Sequence, residues 1–272
     1  MGAGTPQGAV LSPILFNIFV DDIKEVLGDR IVFAQYADDL VIWVRDICPR
    51  RAESILNERL ALLSDWTNNW RIRLAPEKSV AVVFSRRPTQ RRLTVNLKLM
   101  GETIERHEDH KFLGVTFDDK LLWGKHINNI IGGTSSRIQA LKKLSAKSTF
   151  KNPTNILRLH ESLVNSILKY GSIAYAGMSE AMWERVKTCH ARCVKAYVGL
   201  PNYVSYELVC DTLGIKQIKD EIFQFAMKRI ISMISFSPLK EKLIKRSSRQ
   251  SAIYRTPSEA ILNDNEIHAI LG

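Results

Sequence analysis

Two nearly unbroken runs of apolar residues, at positions 31–37 and 40–44, form the clearest pattern in the chain. Both runs are rich in β-branched and aromatic side chains, which favour strands. Because only Asp38 and Asp39 separate them, the pattern predicts a tight β-hairpin with two acidic residues at its tip. Since polar residues scarcely interrupt the runs, we also expect both faces of the strands to be covered.

Helical periodicity appears on both sides of this hairpin. Residues 2–11 predict a loop, after which Ser12 as N-cap and Pro13 predict the start of a helix that runs to Ile23. Another helix is predicted over 53–70, where apolar residues recur along one face: Leu56, Leu60, Leu63, Trp66 and Trp70. Short strands are predicted at 71–74, 79–85, 97–104 and 111–117.

From about residue 126 onward the chain is predicted to be helical, so the fold class is α+β. Asn152 as cap before Pro153 predicts a helix that ends at Gly171, with one apolar face formed by Ile156, Leu159, Leu163 and Ile167. Further helices are predicted over 180–198 and 219–234. The composition changes near 120–126, where we expect a domain boundary.

Charge divides the chain more sharply than hydrophobicity does. Of the net charge of +11, residues 1–125 contribute little, with 18 basic and 17 acidic side chains, whereas residues 126–272 carry 21 and 11. A basic half indicates a polyanionic partner. The densest acid-free stretch is predicted to contact a nucleic-acid backbone, the alternative being a solvated helix face; its lysines are Lys142, Lys143, Lys147 and Lys151.

Composition excludes several classes of protein. With 45% apolar and 25% charged residues the chain is typical of globular proteins and not of disordered ones. No apolar run approaches the roughly 18 residues of a membrane span, so no membrane partner is predicted. Four cysteines do not make a disulfide scaffold and favour a reducing compartment.

The acidic pair at the hairpin tip suggests metal chemistry. Two carboxylates about 4 Å apart repel each other by on the order of 4 kcal/mol at an effective dielectric constant near 20, and a divalent cation offsets that cost. Mg²⁺ prefers carboxylate oxygens, and two such ions can promote phosphoryl transfer. The alternative is that Asp38 and Asp39 are ordinary turn residues, since Asp tolerates turn conformations.

The neighbouring sequence favours the metal. Residues 4–17, GTPQGAVLSPILFN, followed by YADD at 36–39, resemble the reverse transcriptase family. In that family the first stretch lies beside the template and the incoming nucleotide, and the second is the catalytic hairpin. The resemblance implies that Asp38 and Asp39 are catalytic Mg²⁺ ligands, and it assigns substrate or template binding to Pro6, Gln7, Gly8, Ser12, Tyr36 and Ala37.

Two downstream segments extend the resemblance. Residues 70–79 look like the following family motif, which implies that Lys78 lies near the nucleotide phosphates and helps to protonate pyrophosphate; the alternative is an exposed loop lysine. Residues 112–115, together with Asp118 and 122–127, look like the hairpin that grips the primer end, which implies that role for Phe112, Leu113 and Gly114. The alternative is a structural hairpin.

The resemblance is strongest to non-LTR retrotransposon polymerases, especially the jockey-like group, through residues 15–23, 70–72 and 191–204. It implies a partial right-hand palm over 1–122, an antiparallel sheet with helices, then an all-helical thumb over 123–200 and a C-terminal helical extension over 201–272. The implied reaction is Mg²⁺-dependent nucleotidyl transfer onto a DNA 3′-OH, with an RNA template, a DNA primer and deoxynucleoside triphosphates.

Reverse transcriptases also use a third catalytic Asp, on a strand upstream of the loop that corresponds to Gln7 and Gly8, and a fingers subdomain that holds the template and the triphosphate. Because the Gln7–Gly8 loop opens this sequence, we expect both to be missing from it. We therefore predict an incomplete two-ion site, a fragment that is inactive alone, and an unpaired hydrophobic sheet edge. The alternative is a catalytically dead remnant that binds nucleic acid at most.

The cysteine and histidine residues of the second half do not predict a zinc site. We interpret Cys189, His190 and Cys193 as helix core residues and not as zinc ligands. We interpret His160 and Cys210 as too isolated to complete a metal site.

Overall fold

The computed structural model describes residues 8–85, 87–145 and 153–234. The chain divides into two compact units, residues 1–110 and 111–272. The functional division at 122 and 200 stays a prediction. Strands and helices are both present, which confirms the α+β class.

The first unit begins with short helices and a hairpin. Its helices are α1 (Ser12–Phe19), α2 (Ile23–Leu27), α3 (Pro49–Trp70) and α4 (Pro88–Arg91). Its strands are β1 (Val32–Tyr36), β2 (Asp39–Trp43), β3 (Val80–Val82), β4 (Lys98–Leu99), β5 (Glu102–Thr103) and β6 (Glu105–His107). Strand β7 (Asp109–Phe112) spans the division between the units and pairs with β8 (Val115–Asp118).

The expected antiparallel sheet is found only in part in the described residues, where β1–β2 and β4–β5 are antiparallel pairs. The described strands form four separate two-stranded pairs, and the pair of β3 with β6 is parallel. Each partner of that pair is three residues long. The predicted strand at 71–74 is irregular, and the one at 79–85 shortens to β3.

The start of the chain also differs from prediction. Helix α1 begins at Ser12, with Leu11 as its N-cap, and it ends at Phe19 instead of Ile23. Asp21 and Asp22 explain the break, because carboxylates oppose the negative end of a helix dipole but suit the start of the next helix, α2. No residue of α1 is fully buried, although the helix is mostly apolar.

The core of the first unit forms where α3 packs on α2 and β4. Leu60, Leu63 and Trp66 are buried there, as the periodicity predicts. Trp70 differs, since it is 41% exposed at the last residue of α3. Its indole Nε1 donates to the Asp22 carboxylate at 3.0 Å.

The second unit is helical apart from β7 and β8. Its helices are α5 (Gly124–Ser145), α6 (Pro153–His160), α7 (Ser166–Lys169), α8 (Ser172–Tyr175), α9 (Glu180–Val198), α10 (Tyr206–Leu213) and α11 (Ile218–Ile234). Helix α9 has the predicted bounds, and Gly199 ends it in the left-handed conformation with φ +70°. The core is continuous across these helices and includes Ile127, Leu141, Leu168 and Ile222.

A π-helical turn, Glu161–Asn165, joins α6 to α7 and changes which side chains are buried. The predicted apolar face holds at three of its four positions, because Ile156 is buried and Leu159 and Ile167 are half-buried against the same core, whereas Leu163 is 38% exposed. Val164 and Leu168 are buried in addition. A π turn contains more residues than an α turn, so it moves the buried face one position along the chain. The predicted face therefore fails at Leu163, within the turn, and holds at Ile167 beyond it.

Candidate active site

The tip of the β1–β2 hairpin carries the acidic pair. Val32 lies opposite Trp43 and Tyr36 opposite Asp39, so the two turn residues are Ala37 and Asp38, one position earlier than the predicted pair. Ala37 has φ +53°, which costs an L-residue roughly 1 kcal/mol. The side-chain amide of Gln35 donates to the Ala37 carbonyl at 3.1 Å and holds this turn.

The Asp38 and Asp39 side chains are exposed and uncommitted. Within the described residues neither carboxylate accepts a hydrogen bond or pairs with a cation, whereas Asp46 accepts bonds from Arg51 Nε at 2.6 Å and Cys48 N at 2.7 Å. Water around the tip reduces the expected repulsion toward about 1 kcal/mol, since its dielectric constant is near 80. The turn therefore offers two carboxylates, which are hard oxygen ligands, that no other group in the described part of the chain engages.

One face of the hairpin lies open. Phe33, Leu40 and Ile42 pack against the core of the first unit. On the other side Val32 is 53% exposed and Tyr36 is 67% exposed. The expectation that both faces are covered is wrong for this part of the chain, because the described elements of the unit pack on one face only.

The loop before α1 is described in part. Pro6 and Gln7 lie outside the described residues. Gly8 has φ +84°, and nothing lies within 4 Å of the place where a Cβ would stand. Backbone conformation is thus what favours glycine here. Ser12 is half-buried at the first residue of α1, and its amide donates to the Ala9 carbonyl at 3.2 Å.

Lys78 lies in a 3₁₀ turn, Pro76–Lys78, directly before β3. Its side chain is exposed, and its backbone amide donates to the Ala75 carbonyl at 3.0 Å. Among the described residues no ion pair joins its ammonium to Asp38 or Asp39. Its role in leaving-group chemistry stays a prediction.

The second hairpin joins β7 to β8 through Leu113 and Gly114. These residues have φ +44° and +83°, as in the type I′ turns that connect two strands tightly. Phe112 is half-buried, Leu113 and Gly114 are exposed, and Val115 is buried. The primer-grip assignment of these residues stays a prediction.

Asp118 links this hairpin to α5, a function that sequence reasoning missed. Its carboxylate accepts backbone N–H bonds from Lys120 at 3.2 Å, Leu122 at 3.0 Å and Trp123 at 2.8 Å. An Asp two residues before a turn amide is a known signal for such a turn. The Thr116 amide donates to His126 Nδ1 at 3.3 Å, and burial lowers the pKa of this imidazole.

The predicted basic stretch begins in the last turn of α5. Lys142 and Lys143 are exposed there, where a positive charge also favours the helix dipole. Lys147 and Lys151 lie outside the described residues. The choice between a nucleic-acid contact and a solvated face stays open at the two described lysines.

His160 is not isolated, contrary to the sequence interpretation. Its Nε2 lies 3.0 Å from His190 Nε2, and His190 Nδ1 lies 2.8 Å from the Tyr206 hydroxyl. That hydroxyl accepts the Ile218 amide at 3.0 Å. Burial lowers the pKa of His160 to about 4 and that of His190 to about 3, so both rings are neutral at pH 7. The pair is formed by helix packing, and no spacing in the sequence signals it.

The interpretation of the α9 cysteine and histidine residues as core residues is confirmed for Cys193 and His190, which are both buried. The Cys193 thiol donates to the Cys189 carbonyl at 2.9 Å. In the three described ranges no group of three or more His, Cys, Asp or Glu residues is placed to hold a metal ion. None of the helices described is long and apolar enough to cross a bilayer.

The acidic tip fits Mg²⁺ in part. Carboxylates are the protein ligands that Mg²⁺ prefers, and the ion usually retains waters and substrate phosphates in its shell. Two exposed carboxylates at one tip suit such a shell. No third acidic side chain joins them among the described residues, so the donor set is smaller than a two-ion site requires.

The hairpin lies in a segment that is similar to a known protein family. The family model "Reverse transcriptase (RNA-dependent DNA polymerase)" matches residues 2–117, which include the tip. The RNA-directed DNA polymerase from mobile element jockey of Drosophila melanogaster is 26% identical over 84% of this chain and 25% of its own length. The probable RNA-directed DNA polymerase from transposon BS of the same fly is 25% identical over 82% and 25%.

The chain is also similar to the probable RNA-directed DNA polymerase from transposon X-element of Drosophila melanogaster. The two sequences are 22% identical over 94% of this chain and 29% of that protein. The chain spans about a quarter of the length of the jockey and BS proteins. No solved structure matches it. Residues 2–117 thus match the model of the reverse transcriptase family, and along most of its length the chain is similar to the polymerases of non-LTR retrotransposons.

Proposed function

We propose that this chain is the palm and thumb portion of an RNA-directed DNA polymerase, which transfers deoxynucleotides to a DNA 3′-OH opposite an RNA template. One observation carries the proposal: Asp38 and Asp39 lie exposed at the tip of a hairpin, without a partner among the described residues, within the segment that matches the reverse transcriptase family. Both carboxylates are therefore accessible to a metal ion.

Most of the predicted site residues have a task in this reaction. Asp38 and Asp39 would hold Mg²⁺, which when bound activates the attacking 3′-oxygen and stabilises the leaving pyrophosphate. Lys78 would donate a proton to that pyrophosphate, and the Pro6–Gln7–Gly8 loop with Ser12 would face the nucleotide and template. The Phe112–Gly114 turn would hold the primer end. Lys142 and Lys143 would bind backbone phosphates of the duplex.

Activity of residues 1–272 by themselves is not expected. The two carboxylates lack a third acidic partner in the described ranges, and the jockey and BS proteins are about four times as long as the matched region. Primer extension by the chain alone that depends on Asp38 and Asp39 would contradict this expectation while supporting the proposed chemistry.

A binding experiment tests the proposal without turnover. The full chain is titrated with a fluorescent RNA–DNA primer–template, with and without Mg²⁺ and the complementary deoxynucleoside triphosphate. We expect Mg²⁺ and nucleotide together to tighten binding about tenfold, because the ion joins the carboxylates to the triphosphate. An Asp38→Asn/Asp39→Asn double variant should lose this gain.

The matched control removes two exposed carboxylates elsewhere in the first unit, through Asp29→Asn and Asp65→Asn. It should retain the gain. If neither the wild-type chain nor the control responds to Mg²⁺ and nucleotide, the polymerase proposal is wrong.

A second function, a remnant that binds nucleic acid without catalysis, is favoured by the basic second half and by the lack of a third acidic side chain beside Asp38 and Asp39 among the described residues. Such a protein would bind duplexes with a steep dependence on salt, because its lysines release counterions from phosphates. Its affinity would not change with Mg²⁺ or with either Asp substitution. The same titration therefore separates the two functions.

A further inference from the structure

The turn of the second hairpin is held by Tyr170, at the end of helix α7. The Tyr170 hydroxyl donates to the Leu113 carbonyl at 2.7 Å, across 57 residues of sequence. A Cβ at Gly114 would lie 2.9 Å from the Tyr170 ring, and a Cβ at Gly171 would lie 2.5 Å from Val115 Cγ2. Two glycines thus allow the hairpin and the helix end to pack closer than any other residue pair would permit.

Hydrophobic burial does not account for this contact. Tyr170 is 57% exposed, and Leu113 at the turn is 36% exposed. Leu113 also adopts φ +44°, which is unfavourable for a branched side chain and persists only where surrounding structure imposes it. The hydroxyl bond and the two glycine contacts are the features that impose this conformation.

The residue before Tyr170 is itself anchored. The Lys169 ammonium pairs with Glu161 of the π turn and, at 2.5 Å, with the Glu221 carboxylate of α11. The Asn165 side-chain amide donates to both of these carboxylates, at 2.7 Å to Glu161 and 3.1 Å to Glu221. Tyr170 therefore extends from a network that joins α11 to the π turn, and the position of the hairpin turn follows that network.

The turn presents donors to solvent. Within the described residues the backbone amides of Leu113 and Gly114 have no acceptor. Free amides on an exposed, immobilised turn suit a phosphodiester oxygen, since backbone N–H groups contact nucleic-acid phosphates. An anion acceptor needs such donors to be fixed in advance, and the Tyr170 contact does so.

We propose that Tyr170 is a positioning residue for the primer strand, acting through the Leu113–Gly114 turn. This inference rests on the proposed function. Tyr170 does not touch the reacting atoms. It sets where the two turn amides meet the phosphates next to the primer 3′ end.

The test compares two RNA–DNA duplexes of equal length in anisotropy titrations with the full chain. One has a recessed DNA 3′ end and the other has both ends closed by loops, so that only the first offers a primer terminus. The wild-type chain should prefer the recessed end. Tyr170→Phe removes the hydroxyl and retains the ring; it should lower that preference about fivefold, as expected for one lost hydrogen bond, with affinity for the closed duplex unchanged.

Tyr203→Phe is the matched control, because Tyr203 is 88% exposed and has no hydrogen-bond partner among the described residues. It should behave as wild type. Gly114→Ala, which forces the turn away from the ring, should repeat the effect of Tyr170→Phe. Thermal unfolding of each variant separates this selective loss from a general loss of folding.

The outcomes distinguish the two proposals. If the wild-type chain binds neither duplex, the proposed function is wrong and this inference falls with it. If the chain binds both duplexes but shows no end preference, or if Tyr170→Phe retains the full preference, the inference alone is overturned.

Discussion

The two hairpins use their turns in opposite ways. In the β1–β2 hairpin the turn residues Ala37 and Asp38 are exposed, and the carboxylates of Asp38 and Asp39 have no partners in the described residues. In the β7–β8 hairpin Tyr170 holds the turn, and Val115 and Thr116 are buried behind it. Both turns contain a non-glycine residue with positive φ.

The difference separates two means of building a site. A hairpin tip that is to bind an ion needs polar atoms without other hydrogen-bond partners. The β1–β2 hairpin is accordingly supported by packing on one of its faces only. A turn that is to align a large ligand needs a fixed backbone. In the β7–β8 hairpin the Leu113 carbonyl accepts a hydrogen bond from Tyr170, and the first residues of β8 are buried. Sequence motifs identify the first type readily, because the chemistry lies in its own side chains.

Acid should affect the unit that holds the second hairpin most strongly. Burial lowers the pKa values of His126, His160 and His190 below the unfolded value of 6.5. The unfolded chain therefore binds more protons below pH 6.5, and stability that is complete above that pH is lost as the pH falls toward about 4. We expect the free energy of unfolding to drop by on the order of 4 kcal/mol.

Urea titrations monitored by circular dichroism at pH 7, 6, 5 and 4.5 measure this dependence. Replacement of the exposed His110 by Gln should leave the profile unchanged. A free energy of unfolding that stays constant from pH 7 to 4.5 would show that the three imidazoles do not gain protons on unfolding.

Gly171→Ala should produce the next largest effect. The new methyl group would lie 2.5 Å from Val115 Cγ2, and the alanine backbone would have to adopt φ +69°. Gly199→Ala imposes a nearly equal φ of +70° with nothing within 4 Å. We expect about 1 kcal/mol of destabilisation at Gly199 from the backbone alone and about 3 kcal/mol at Gly171, where overpacking adds to it. Equal losses of unfolding free energy at the two sites would contradict the close approach of hairpin and helix.

Asp118→Ala should have a smaller effect, about 1–2 kcal/mol, because three backbone amides lose their acceptor between β8 and α5. Asp118→Asn retains one oxygen and should lose about half as much. Denaturant unfolding of both variants provides the comparison, and an alanine variant as stable as the wild type would rule out this capping function.

Ala37→Gly should produce the smallest change, and in the opposite direction. Glycine accepts φ +53° without the cost that alanine bears, so the first unit should gain about 0.5–1 kcal/mol. Ala34→Gly, at an ordinary strand position of the same hairpin, should instead be destabilising. A loss of stability in both variants would indicate that the turn conformation is not strained.

Much of the fold follows from local patterns. The β1–β2 hairpin was predictable from its β-branched runs, and α3 from the spacing of Leu60, Leu63 and Trp66. The ends of helix α9 were predicted to the residue, and Gly199 followed by Pro201 is a strong signal for the end of a helix. The acidic tip was predictable for the same reason, since its residues are adjacent in sequence.

The rest depends on contacts that no local pattern encodes. The π turn at Glu161–Asn165 reflects helix packing, so the predicted apolar face was wrong at Leu163 and Val164 is buried instead. His160 and His190 meet across 30 residues, and Tyr170 reaches Leu113 across 57. The one-residue shift of the first turn has the same origin, because strand pairing, and not polarity, decides which residues turn.

The π turn has a consequence for how this protein tolerates length changes. A residue inserted into a plain α-helix rotates everything beyond it by about 100°. The π-helical turn at 161–165 accommodates an extra residue locally, and Val164 and Leu168 are buried on either side of its end. We expect a variant with one residue deleted from this turn to form an unbroken α-helix and to keep the core positions beyond it buried.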